Sequence, residues 1–192
     1  MNDDVERVLR DDPVMADLID AHGRIEFAPA DNEFERLSVS IINQQLSTAS
    51  AAAIRERAFD VVGDDVTPTA VLAADEDALR DAGLSATKVD YLRNAAEAFR
   101  NRDLTREGLA DLSDEEVVSA LTEIKGIGEW SAHMYLIFTL GREDVLPLGD
   151  LAVRRGFEEL YGAESRSEMR DIAAQWRPYR SYGTRYIWEG SD

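Results

Sequence analysis

One carboxylate and one pair of glycines are the residues best placed to do chemistry. Asp150 closes the run Asp144-Val145-Leu146-Pro147-Leu148-Gly149-Asp150 and directly precedes the helical pattern Leu151-Ala152-Val153-Arg154-Arg155. An acid there is an ordinary helix cap, its oxygen taking an orphaned N–H of the first turn. The helix end also favours the ionised form through its dipole and amides. Set opposite an anion-binding surface, such a carboxylate can stabilise a cationic sugar transition state. Upstream, Ile124-Lys125-Gly126-Ile127-Gly128 lies between two strong helical patterns. Two glycines two apart permit a tight turn and let a ligand approach the main-chain N–H groups. The helix that starts at once adds its N-terminal amides, so a phosphate can bind without surface cations. A plain helix–helix turn would use the same glycines, and neither segment decides the matter alone.

Aromatic side chains surround these segments. Trp130, His133 and Met134 follow the glycine pair on the next helix; the histidine fits a helical surface or core site, and the methionine a gap in apolar packing. Trp176 to Trp188 holds five of the nine Trp and Tyr residues, with Arg177, Arg180 and Arg185 and no acid. Aromatics interleaved with arginine suit a nucleic-acid surface. They equally suit a closing helix whose rings pack on the core while its arginines bind nearby carboxylates.

The elements that must position these residues read as helices along nearly the whole chain. Val14, Leu18 and Ile19 form an apolar stripe behind Pro13, and Phe34, Leu37, Ile41 and Ile42 form another that runs up to Gln44-Gln45. Ser47 is the expected cap of a helix carrying Ala51, Ile54, Ala58 and Val62 and ending at Gly63. Two short helices are predicted at 68–74 and 75–82, and a longer one capped by Ser85. Ser113-Asp114-Glu115-Glu116 is a capping box that opens the helix through Val117, Leu121 and Ile124. Further helices are predicted at 129–140, 150–161, 165–176 and 179–188. No apolar–polar alternation is long enough for a strand, so the class is all-α.

Composition narrows the function. The 192 residues carry 21 bases and 39 acids, a net charge of −18, with 44% hydrophobic residues that argue for a packed core. There is no cysteine, which excludes disulfides, thiolate nucleophiles and a Cys-held iron–sulfur cluster. Two histidines, His22 and His133, are too few for a His-rich metal site. No apolar run reaches membrane-spanning length, and Met1-Asn2-Asp3-Asp4 is unlike a signal peptide, so the expectation is a soluble, cytoplasmic protein without a membrane partner. Only Lys88 and Lys125 are lysines, and 21 acids are aspartate. Such a surface suits molar salt, where the Debye length is about 3 Å and self-repulsion is damped. An acidic mesophilic protein is the alternative.

The order Leu121-x-x-Ile124-Lys125-Gly126-Ile127-Gly128-x-Trp130-Ser131-Ala132, then Pro147-x-Gly149-Asp150, resembles the helix-hairpin-helix base-excision DNA glycosylases. Within them it is most similar to the DNA-3-methyladenine glycosylase II family. Ile41-Ile42-Asn43-Gln44-Gln45-Leu46-Ser47, Gly83-Leu84-Ser85-x-x-Lys88 and Trp176-x-Pro178-Tyr179-Arg180-Ser181-Tyr182 match further segments in the right order. Lys125 departs from the pattern, standing where the family usually has proline.

The resemblance implies two helical lobes: a central one at 36–144 carrying the hairpin, and another pairing 1–35 with 145–192, with Asp150 in the cleft between them. It implies a monofunctional enzyme that excises alkylated purines of the 3-methyladenine type from damaged double-stranded DNA, by base flipping and hydrolysis of the N-glycosidic bond. Asp150 would be the catalytic carboxylate, and Trp130, Trp188 and Met134 would line the base pocket. Gln44, Gln45, Lys125, Gly126, Ile127 and Gly128 would contact DNA. No cofactor is required for the chemistry, but the backbone carbonyls of Thr122, Ile124 and Ile127 would offer a site for a monovalent cation. Bifunctional relatives place a Schiff-base lysine where this chain has Trp130, so no lyase activity is expected. A monomer is expected. The alternative is a non-catalytic helix-hairpin-helix DNA-binding module, which needs the hairpin but not Asp150, Trp130 and Trp188 together.

Overall fold

The computed structural model describes residues 1–26, 28–46 and 48–190, and among them there is no strand. The protein is all-α, as its sequence pattern predicts. Helix α1 spans Asp3–Arg10, α2 Pro13–His22, α3 Glu33–Asn43, α4 Thr48–Val62, α5 Pro68–Ala73 and α6 Glu76–Asp81. Then follow α7 Ala86–Asn101, α8 Asp114–Thr122, α9 Glu129–Phe138, α10 Leu151–Tyr161, α11 Arg166–Ala173, a 3₁₀ turn at Ala174–Trp176 and α12 Arg180–Gly190.

Local chemistry sets most of these boundaries. The Asp12 side chain accepts from the first-turn amides of α2, ahead of Pro13 at the first helical position. Ser85 caps α7, and Ser113 with Glu116 forms the expected capping box of α8, at 3.2 and 2.8 Å. A second box, Ser165 with Glu168, opens α11. The expected capping role of Ser47 lies outside the described residues. Helix α1 is absent from the expected set: it buries only Val5 and Leu9, four residues apart in an acidic stretch.

The chain forms two compact units, Ala30–Tyr135 and Met1–Pro29 with Leu136–Asp192. In the first, α3 and α5 pack on α7, burying Phe34, Leu37, Val71, Val89 and Leu92. Phe34, Phe99 and Tyr135 meet edge to face, and the Tyr135 hydroxyl donates to Leu104 O at 2.7 Å. Each fully buried apolar side chain stabilises the unit by about 1.5–3 kcal/mol.

In the second unit α12 lies against α10 and α2 around Leu9, Met15, Phe157, Trp176, Tyr186 and Ile187. One buried carboxylate ties its distant segments together. Asp12, 2% exposed, caps α2 with Oδ1, while Oδ2 accepts from Tyr161 Oη (2.8 Å), Trp176 Nε1 (2.9 Å) and Gln175 Nε2 (3.1 Å). A buried charge is tolerated when it is this fully hydrogen-bonded. Burial, with the Asp12 bond second, pushes the Tyr161 hydroxyl well above its ordinary pKa.

Candidate active site

The glycine hairpin joins α8 to α9 within the unit Ala30–Tyr135. Ile124 and Ile127 are buried beneath it, and the Ile127 amide donates to Ile124 O at 3.0 Å. Its two glycines are needed for opposite reasons. Gly126 has φ +105°, and a Cβ there would fall 2.2 Å from Tyr91 Cγ. At Gly128 a Cβ would meet no protein atom within 4 Å, so the fold itself does not demand glycine there. The bare, exposed backbone of Gly128 at the start of α9 is open to a ligand that comes close to the main chain. Lys125 is exposed beside it, and its carbonyl accepts from Asn94 Nδ2 at 3.2 Å.

The α3–α4 connection is bound to this hairpin. Gln44 donates from Nε2 to Gly126 O and to Ser131 Oγ, both at 3.0 Å. Its amide is thus engaged within the protein, whereas Gln45 is exposed and holds φ +58°, a left-handed conformation rare outside glycine. The buried end of α3 is fixed from the other side by Lys88, whose Nζ donates to Ile42 O at 2.6 Å. Burial lowers the Lys88 pKa. On α9, Trp130 is half-buried and Met134 buried. Burial lowers the pKa of half-buried His133, against the pull of Glu129 and Asp114. The Thr122 hydroxyl turns back to Val118 O and Ser119 O, which leaves its carbonyl, not its side chain, as the candidate ligand.

The carboxylate belongs to the other unit. Asp150 caps α10, its Oδ1 accepting from Val153 N at 3.0 Å and from Trp188 Nε1 at 3.5 Å. Its side chain is largely buried, at 9% exposure. Trp188 stacks on Phe138, with centroids 5.7 Å apart and planes inclined by 19°, and the Arg185 guanidinium lies 5.4 Å from the Phe138 centroid. One π-stack and one carboxylate oxygen therefore share the Trp188 side chain. The rest of the C-terminal aromatic segment packs. Trp176, Tyr182 and Tyr186 are buried, while Arg177 and Arg180 bind Asp144, the latter at 2.7 Å.

Phe138, Arg154, Tyr91 and Asn94 escaped the sequence reading. Only Arg154 left a signal there, because a cation in the first turn of a helix opposes the dipole. Among the described residues no group of three or more His, Cys, Asp or Glu is placed to hold a metal, and no helix is long and apolar enough to cross a membrane.

Helices paired through a glycine hairpin, followed by a carboxylate at a helix cap, define a class that the comparisons with known proteins name. Residues 39–178 match the HhH-GPD superfamily of base excision DNA repair proteins. The chain is 34% identical over 164 residues to DNA-3-methyladenine glycosylase 1 of Schizosaccharomyces pombe, covering 82% of this chain and 72% of that one. Among solved structures, the S. pombe 3-methyladenine DNA glycosylase in complex with abasic DNA superposes with a TM-score of 0.85 at 31% identity, covering 97% of this chain and 95% of that one. A DNA-3-methyladenine glycosidase from Bacillus halodurans gives 0.83 at 32%, covering 99% and 89%. The chain belongs to the HhH-GPD superfamily of base excision DNA repair proteins and, within it, to the DNA-3-methyladenine glycosylase II family.

Proposed function

We propose that the protein is a monofunctional DNA glycosylase that excises alkylated purines of the 3-methyladenine type from double-stranded DNA in base-excision repair. The observation that carries this reading is the Asp150 carboxylate, held at the cap of α10 against Trp188 Nε1, in a chain of this superfamily.

The chemistry follows from the substrate. Alkylation at purine N3 or N7 leaves the base cationic, already a good leaving group that needs little acid assistance. The nucleotide is extruded from the duplex, and the faces of Trp130 and Trp188 attract the cationic base by about 0.5–2 kcal/mol each, with Met134 assigned to the same base pocket. As the N-glycosidic bond breaks, its electrons leave with the base. Asp150 stabilises the positive charge developing on the sugar, and water adds to the anomeric carbon to leave an intact abasic site. Two residues beyond Gly128 stands Trp130, which has no amine to attack the sugar.

Unlike a surface of lysines, the amides of Gly126 and Gly128 and the α9 N-terminus would take a backbone phosphate without net positive charge. Gln45, exposed and left-handed, is the residue assigned to the gap left by the flipped base, with Gln44 holding its loop to the hairpin. The carbonyls of Thr122, Ile124 and Ile127 are neutral oxygen ligands, a set that fits a monovalent cation better than a divalent one. Bound there, it would supply a positive charge beside a phosphate. The net charge of −18 opposes self-association, and the protein is assigned as a monomer in the cytoplasm.

The test is incubation with methylated duplex DNA. Free 3-methyladenine should appear with intact abasic DNA, and borohydride added during turnover should trap no protein–DNA adduct. Absence of base release removes the enzymatic reading, and efficient trapping moves the protein to the bifunctional branch.

A further inference from the structure

Arg154 is explained neither by capping nor by core packing. It is the fourth residue of α10, inside the first turn, where the helix dipole disfavours a cation. Its Nη1 donates to the carbonyl oxygens of Leu148 (2.9 Å), Gly149 (2.9 Å) and Asp150 (3.3 Å). Three consecutive carbonyls turn toward one guanidinium nitrogen, and hydrogen bonds from a charged donor are stronger than neutral ones.

Gly149 supplies the reason for such a clamp. It is exposed, a Cβ built on it meets nothing within 4 Å, and one backbone bond, from Asp150 N to Pro147 O at 2.9 Å, closes the turn across it. Glycine also has the widest backbone freedom of any residue. It directly precedes Asp150, so rotation at Gly149 moves the backbone from which the carboxylate springs. The cap bond to Val153 N holds one carboxylate oxygen but does not restrain Leu148 or Gly149. The Arg154 bonds do.

We infer that Arg154 is a positioning residue for base release. Its guanidinium holds the carbonyls of the Leu148–Asp150 turn, limits the backbone freedom that the Asp150 N to Pro147 O bond leaves to Gly149, and keeps the Asp150 carboxylate in the placement that stabilises the sugar cation. The inference rests on the reading of Asp150 given above. A carboxylate acts on a developing charge only where it is correctly placed, and a displacement of about 1 Å can cost on the order of 100-fold in rate.

The experiment measures single-turnover base release from methylated duplex, affinity for abasic duplex and melting temperature. The variants are Arg154→Met, Gly149→Ala, their combination, and Asp150→Asn. In Arg154→Met, release should fall by about tenfold or more, while affinity for abasic DNA changes by less than about threefold. Adding Gly149→Ala to that variant should restore at least about threefold of the lost rate, because alanine lacks the freedom that Arg154 suppresses. The same substitution beside an intact Arg154 should have a smaller effect. Wild-type release by Arg154→Met, or no recovery with Gly149→Ala, overturns the clamp. So does a joint fall in melting temperature and DNA affinity without recovery, the mark of a purely structural arginine. Wild-type release by Asp150→Asn refutes the reading of Asp150 itself, whereas collapse there with unchanged release in Arg154→Met refutes only the clamp. Arg154→Gln, which keeps a single donating amide, carries the same comparison if the methionine variant does not fold.

Discussion

Alanine at Gly126 and alanine at Gly128 should fail in different ways, although the two glycines are neighbours but one. At Gly126 the new Cβ meets Tyr91 at Cγ (2.2 Å), Cδ1 (2.4 Å) and Cβ (2.5 Å), the root of that side chain, which cannot swing aside. The φ of +105° adds backbone strain. Left-handed strain of about 1–2 kcal/mol and overpacking of about 1–3 kcal/mol sum to about 2–5 kcal/mol. For a chain of this size the melting temperature should fall by about 5–20 °C. At Gly128 there is open space and no positive φ, so alanine costs only the lost capping preference, under about 1 kcal/mol. Its methyl group would instead stand where a phosphate must approach, and abasic-duplex affinity should drop by about tenfold, or 1.4 kcal/mol. Differential scanning calorimetry and fluorescence anisotropy on the same preparations separate the two effects. A Gly126→Ala protein that melts with the wild type, or a Gly128→Ala protein that binds abasic DNA normally, would refute this account of the hairpin.

Three further outcomes are expected. Asp150→Asn should cut base release by at least about tenfold, roughly 1.4 kcal/mol of transition-state stabilisation, while binding abasic duplex normally; near-wild-type release would reduce Asp150 to a cap. Gln45→Ala should slow release and weaken abasic-duplex binding without altering the melting temperature, whereas Gln44→Ala, which strips a donor from Gly126 O and Ser131 Oγ, should also lower it; the reverse pattern would exchange their roles. Base release and helical circular dichroism should both rise with KCl to a maximum on the order of 1 M, where screening of the −18 charge is nearly complete; maxima near 0.1 M would make this an ordinary acidic mesophilic protein.

What could be read before the structure depended on how far apart the determinants lie in sequence. The capping box of α8 was legible because Ser113 and Glu116 are three residues apart. Helix α1 was not, since Val5 and Leu9 are a single apolar pair in an acidic stretch and become core only once α1 packs on α2 and on the 3₁₀ turn at Ala174–Trp176. The glycine pair and Asp150 stood out by local pattern, but their assigned roles came from family resemblance, not from spacing. Gln44 and Gln45 could not be told apart, because the acceptor that claims Gln44 lies 82 residues away. Arg154 could have been noticed, as a cation misplaced in a first helical turn.

The carboxylate of Asp12 has a consequence for the order in which the chain acquires its parts. Its partners Tyr161, Gln175 and Trp176 lie 149, 163 and 164 residues downstream. Such contacts carry the largest loop-closure cost and form late. A chain emerging from the ribosome presents residues 1–29 first, yet their packing partners arrive last, after all of Ala30–Tyr135 has been made. The segment bearing the glycine hairpin is therefore complete in sequence well before the unit that holds Asp150 can close. A chain interrupted between Tyr135 and Asp150 carries the residues assigned to phosphate binding without the one assigned to bond cleavage.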